Sequence, residues 1–239
     1  MPADIRITAS ATITTMTTDP TSLLRLLAWL SPAFPTGGFA WSHGIEWAVE
    51  AGDVTDANGL RDWLADVLRH GSGRNDAILL RHAYRAAHDL GRLAEIANLA
   101  RAAQPARERL AESIGQGNAF ALAAAAWDAA PLPALAARVG DIAYPVAVGA
   151  LAGAHNVAED DAALGYLQAV AANLISAAVR LIPLGQSAGL TVLAALAPTL
   201  ITVAAATRAA TLDDLGGACF RADLAAMLHE TQYTRLFRS

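Results

Sequence analysis

The chain has 239 residues, 54% of them hydrophobic and 16% charged, with a formal net charge of −5. All 17 basic residues are arginine, which excludes a Walker A phosphate loop, a lysine Schiff base and a lysine general base; the acidic balance offers no basic field for nucleic acid. Cys219 is the only cysteine, so neither an intrachain disulfide nor a Cys-rich zinc site is possible, and a reducing, cytoplasmic setting is expected.

Residues 1–20 read as a flexible leader. Thr8 to Thr18 is rich in Thr, Ala and Ser and has no periodicity, and no basic segment precedes an apolar run as in a signal peptide. Asp19-Pro20 opens a first helix, with proline in the permitted first turn. The stretch Ser31 to Gly38, with two prolines and two glycines, ends it. A second helix is expected from Ser42 to Ala51, with His43 and Glu46 on one face. Asp56 caps a third, whose Leu60, Trp63, Leu64, Val67 and Leu68 form one apolar stripe. Leu79, Leu80, Ala83, Tyr84 and Ala87 share a face of the next, with Arg81, Arg85 and His88 elsewhere.

Helical patterns continue over 93–102, 106–127, 135–139, 145–157 and 162–181. Two shorter helices, 187–197 and 199–210, are expected on either side of Pro198, and a last one runs over 221–230. With no alternating strand pattern, no internal repeat and only short connections, residues 21–239 are expected to form one all-α domain, a bundle of about ten helices.

Two other architectures have a basis in the residues. Gly185-Gln186-Ser187-Ala188-Gly189 matches the nucleophile-elbow pattern, and Asp213 or Asp214 and then His229 follow in the order of an α/β-hydrolase triad. The motif needs a strand before it, and here it follows an alanine-rich helix and a proline. The uncharged run from Leu181 to Thr207 is long enough to span a bilayer. Its prolines, glycines and alanines favour a pair of buried core helices instead. His229-Glu230 begins like a zinc-protease helix, but Tyr233 stands where the second histidine would be.

Two segments remain unusual. The first carries Phe39, Trp41 and Trp47 between helices. The second is the tail 231–239, where Tyr233, Arg235, Leu236 and Phe237 supply anchors of the kind found in interface hot spots. Leu236 and Phe237 either dock on the chain's own core or meet a partner.

These segments resemble the UreF family of urease accessory proteins. The resemblance is carried by Phe34 to Trp47 (FPTGGFAWSHGIEW), by Asn173 to Gln186 (NLISAAVRLIPLGQ) and by Met227 to Ser239 (MLHETQYTRLFRS). It spans roughly residues 23–239. It implies an all-α, non-catalytic adaptor that forms a homodimer, binds the accessory protein UreD (also called UreH) and recruits the GTPase UreG, linking GTP hydrolysis to nickel delivery into apo-urease. It also implies that nickel and GTP are handled by those partners, with no firmly bound cofactor or metal here, and a regulatory link to the GTPase. Carried over by motif, the partner-binding residues are Phe39, Trp41, His43 and Glu46 in the first segment and Tyr233, Arg235, Leu236 and Phe237 in the tail. Trp41 stands where the family often has tyrosine, so an aromatic survives without its hydroxyl. The tail is expected to be loose alone and to order on the partner.

Overall fold

A computed structural model describes residues 19–239. The expected leader lies outside the described residues except for Asp19 and Pro20, which cap and open the first helix. Eleven α-helices follow, with three short 3-10 turns and no strand among the described residues. They are α1 (Pro20–Trp29), α2 (Ile45–Glu50), α3 (Ala57–His70), α4 (Ser72–Arg85), α5 (Leu90–Ala102) and α6 (Arg107–Ala123). After these come α7 (Leu132–Val139), α8 (Tyr144–Ala154), α9 (Glu159–Leu181), α10 (Gln186–Ala206) and α11 (Phe220–His229). The all-α bundle expected from periodicity is the one observed.

Local chemistry sets the boundaries. The side chains of Asp19, Asp56 and Asp89 accept hydrogen bonds from the amides of Ser22, Gly59 and Arg92 at 2.9, 2.8 and 3.0 Å, satisfying first-turn donors of α1, α3 and α5. The five-residue stripe of α3 is buried throughout. The second helix is shorter than its sequence suggests. His43 (φ 61°) and Gly44 (φ 80°) are both left-handed, so α2 begins only at Ile45. Conversely, the two helices expected around Pro198 are one. Pro198 and Ala194 both lie on the exposed side of α10, where the carbonyl that loses its partner to the proline remains open to water.

The core has two connected parts. One gathers around α8, in which every residue from Tyr144 to Gly153 is buried, packed between α4 and α6. The other lies among α2, α3, α10, α11 and the C-terminal half of α9. Helix α9 belongs to both. Arg81, which the pattern placed off the apolar face of α4, is 1% exposed. Its guanidinium donates to Glu159 Oε1 (2.7 Å), Asp160 Oδ1 (2.8 Å) and the Ala204 carbonyl (2.7 Å), so a buried charge is met on all sides and ties α4 to α9 and α10.

Helix α8 approaches α4 so closely that a Cβ at Gly149 would lie 2.2 Å from the Leu80 carbonyl oxygen. Gly149→Ala is therefore expected to force the two helices apart and to cost about 1–3 kcal/mol, read as a lower thermal midpoint by circular dichroism. Gly185→Ala, where the added methyl meets open space, should change the midpoint little.

Candidate functional site

The segment that breaks the chain after α1 leads through the left-handed Gly37 into a 3-10 turn, Gly38–Ala40, and an extended Trp41. The reversal at His43 and Gly44 then sets α2 directly against α11. A Cβ at Gly44 would sit 2.7 Å from the Ala226 amide nitrogen, so only glycine satisfies both the left-handed φ and the contact. This geometry turns Ser42, His43 and Glu46 inward, toward the tail and α6.

Glu46 is the centre of the resulting network and is 5% exposed. Its Oε1 accepts the Leu236 amide (2.6 Å) and its Oε2 the Phe237 amide (3.0 Å). The same carboxylate lies 2.9 Å from Nε2 of His229, a fully buried ring whose Nδ1 is 2.6 Å from Glu108 Oε2. Glu108 in turn accepts from Arg235 Nη1 at 2.8 Å through its other oxygen.

One turn further along α6, Glu112 receives the end of the tail. Ser239 is fully buried. Its hydroxyl donates to Glu112 Oε2 (3.0 Å), and its carbonyl accepts from the Ser42 amide (2.9 Å) and the Ser42 hydroxyl. The His43 amide donates to Ser239 Oγ (3.2 Å), and the Arg238 amide donates to the Ala40 carbonyl (2.9 Å). Burial pushes the Glu112 carboxyl up, but the Arg109 guanidinium and His43 beside it more than offset this and hold it at about 2. Burial, followed by the charge of Arg109, pushes His43 down, against the pull of Glu112.

Arg180, near the end of α9, joins the two segments. Its Nη2 donates to the Phe39 carbonyl at 2.8 Å, and its guanidinium stacks 4.3 Å from the centre of the Phe237 ring. The three stretches Phe34 to Trp47, Asn173 to Gln186 and Met227 to Ser239 thus form one contiguous construction, although Ser42 and Ser239 are 197 positions apart.

The family model named UreF matches residues 54–197 of the chain. The chain is also 51% identical to the urease accessory protein UreF of Bradyrhizobium sp. (strain BTAi1), with all of both chains covered. Identity is 54% to that of Rhodopseudomonas palustris (strain TIE-1), over 91% of this chain and 92% of the relative. It is 51% to that of Mesorhizobium japonicum, over 94% and 100%. The chain belongs to the UreF family.

Within this UreF-family fold, the eight residues singled out from sequence divide into two sets. Phe39 (71% exposed), Tyr233 (fully exposed), Arg235 and Leu236 (74%) face outward. Trp41, His43, Glu46 and Phe237 are buried within the chain and hold the outward set in place. His43 and Glu46 do not share a helical face: His43 precedes α2 and its Nε2 lies 2.7 Å from Ser72 Oγ. In this structure Glu46, Ser42 and Glu112 hold the tail's backbone and its last residue. Phe237 docks on the chain's own core, and Leu236 is exposed.

Sequence reasoning missed Glu108, Glu112 and Arg180. The two carboxylates appear in the sequence as ordinary charged helix positions, and only the fold brings them under the tail. The hydrolase arrangement is not assembled. Ser187 is exposed on the first turn of α10 with no strand before it, Asp214 caps Thr211, and both nitrogens of His229 face Glu46 and Glu108. The uncharged run contains the whole of α10, which packs on α3 and α9. By length and hydropathy both α9 and α10 could cross a membrane, but their packed faces are those of core helices.

Beneath the Ser31 to Phe39 segment lies a cavity of about 440 Å³, lined in part by His43, Asp76, Glu112, Tyr144 and Tyr166. Asp76 accepts a hydrogen bond from the Tyr166 hydroxyl at 2.8 Å. Burial nevertheless raises its carboxyl to about 6, against the lowering effects of Arg109 and that hydroxyl. Because the folded-state value exceeds the unfolded one of 3.8, the folded chain binds the extra proton between about pH 4 and 6. Asp76 therefore makes stability fall as pH rises through that window. Denaturant titrations at pH 5 and 7 should show wild type gaining more stability at pH 5 than Asp76→Asn does. An equal change in both proteins would contradict this account of Asp76.

Proposed function

We propose that this chain is a non-catalytic adaptor in urease maturation, acting in the cytoplasm as a homodimer with UreD (UreH). Together they recruit the GTPase UreG and couple its GTP hydrolysis to nickel delivery into apo-urease. Nickel and GTP are handled by the partners. Family membership supports the urease context. The observation that carries the adaptor reading is the tail: its backbone is fastened by a buried carboxylate while Tyr233, Arg235 and Leu236 stand outward. A preordered set of aromatic, arginine and aliphatic groups loses little conformational entropy on docking and fits a binding hot spot. UreD and UreG are expected to meet the fold on this face.

The test is a pull-down of UreD and UreG with the intact chain, with a chain cut after Glu230 and with Arg235→Ala. Both changes are expected to reduce capture of UreG, and truncation more so, because it also strips Glu46 of two of its donors. Undiminished capture by the truncated chain would remove the tail from the interface and leave family membership untouched.

A further inference from the structure

The cavity beneath the Ser31 to Phe39 segment is lined by polar groups that the fold leaves unspent. Of its two carboxylates, Glu112 is fully engaged: Arg109 and Ser239 meet one oxygen, and Gln116 and His43 the other. Asp76 is not. Tyr166 donates to its Oδ2, while its Oδ1 accepts no hydrogen bond and the residue makes no ion pair among the described residues. The side-chain nitrogens of Gln116 and Asn173 donate to Glu112 Oε1 (3.3 Å) and to the Gly38 carbonyl (3.0 Å), which leaves both amide oxygens open. Those oxygens converge, because a Cβ built on Gly38 would lie 3.5 Å from Gln116 Oε1 and 3.2 Å from Asn173 Oδ1. Ser113 is 6% exposed, and its buried hydroxyl has no partner among the described residues.

We infer that this cavity is a binding site for a small organic cation that carries several N–H donors. The inference goes beyond the adaptor reading and does not depend on it. The volume of about 440 Å³ falls within the roughly 300–1,000 Å³ of small-molecule sites. The open oxygens of Asp76, Gln116 and Asn173 can only accept, and the Ser113 hydroxyl can accept as well, so the ligand must donate. Asp76 supplies the counter-charge. Burial raises its carboxyl to about 6, the mark of a charge that its surroundings leave uncompensated. Tyr144 and Tyr166, with ring centres 5.2 Å apart, and Phe34 add aromatic faces to the wall, and such faces attract a cation through the ring quadrupole. A metal ion suits the donors less well. Among the described residues no three His, Cys, Asp or Glu could hold one, and the nitrogens of His43 already face Ser72 and Glu112.

The experiment is a calorimetric titration of the purified full chain with methylguanidinium chloride at about pH 8, where Asp76 is ionised. Saturable binding of one equivalent is expected, together with a raised thermal midpoint. Asp76→Asn keeps an acceptor for Tyr166 but removes the charge, and should weaken binding roughly tenfold or more. Gly38→Ala places a methyl between the two amide oxygens and should weaken it to a similar degree. Ser113→Ala should weaken it roughly three- to tenfold. Tetramethylammonium chloride, a cation without an N–H, should bind at least roughly tenfold more weakly than methylguanidinium.

Thermal melts without ligand separate folding from binding. If Gly38→Ala does not fold, Asp76→Asn and Ser113→Ala decide. The inference is overturned if the wild-type chain shows no saturable binding, or if Asp76→Asn binds methylguanidinium like wild type. It is equally overturned if tetramethylammonium binds as tightly, since the oxygens would then play no part. Displacement of methylguanidinium by equimolar nickel chloride would mark the cavity as a metal site and also sink it.

Discussion

The Glu46 carboxylate is the constraint on which the rest of the site depends. A carboxylate removed from water is costly unless donors replace the lost hydration. Here two of the donors are amides of the tail and the third neighbour is His229 of α11. The tail is therefore part of the fold's own electrostatic balance. Glu46 needs the Leu236 and Phe237 amides, and those amides need an acceptor once Phe237 is buried. Fold stability and presentation of Arg235 are joined through this one side chain.

Helix α6 repeats the device. Glu108 and Glu112 stand one turn apart, the first reaching Arg235 and His229, the second reaching Ser239 and Arg109. Three carboxylates thus take hold of a nine-residue segment by its backbone, one side chain and its last hydroxyl. Arg180 closes the arrangement from the opposite side, gripping the Phe39 carbonyl and the Phe237 ring together. The exposed groups on this frame share one set of anchors.

Much of the fold was legible in the sequence because helices announce themselves locally. The stripe of α3, the aspartate caps and the break at Ser31 to Gly38 each follow from neighbours in the chain. The errors were also local in origin. Proline at 198 suggested a break that solvent exposure made unnecessary, and successive left-handed residues at 43 and 44 shortened α2. The site was legible only in part. The aromatic and arginine content of residues 233–237 marked the tail, but Glu108, Glu112 and Arg180 gain their roles from contacts across more than a hundred positions in the sequence. Nothing in their own surroundings distinguishes them from solvated surface charges. The burial of Arg81 was illegible for the same reason, its partners being Glu159 and Asp160 of a distant helix.

The separation of 197 positions between Ser42 and Ser239 has a consequence for the order of events in the life of the chain. The socket for Ser239 is built from α6 and the turn before α2, and it exists only after those elements have packed. Contacts of such sequence separation form late, when most of the loop-closure entropy has already been offset by other contacts. The outward set around Arg235 is thus fixed in place only once the elements behind it have packed. A chain whose bundle is misassembled lacks the socket and cannot display that set.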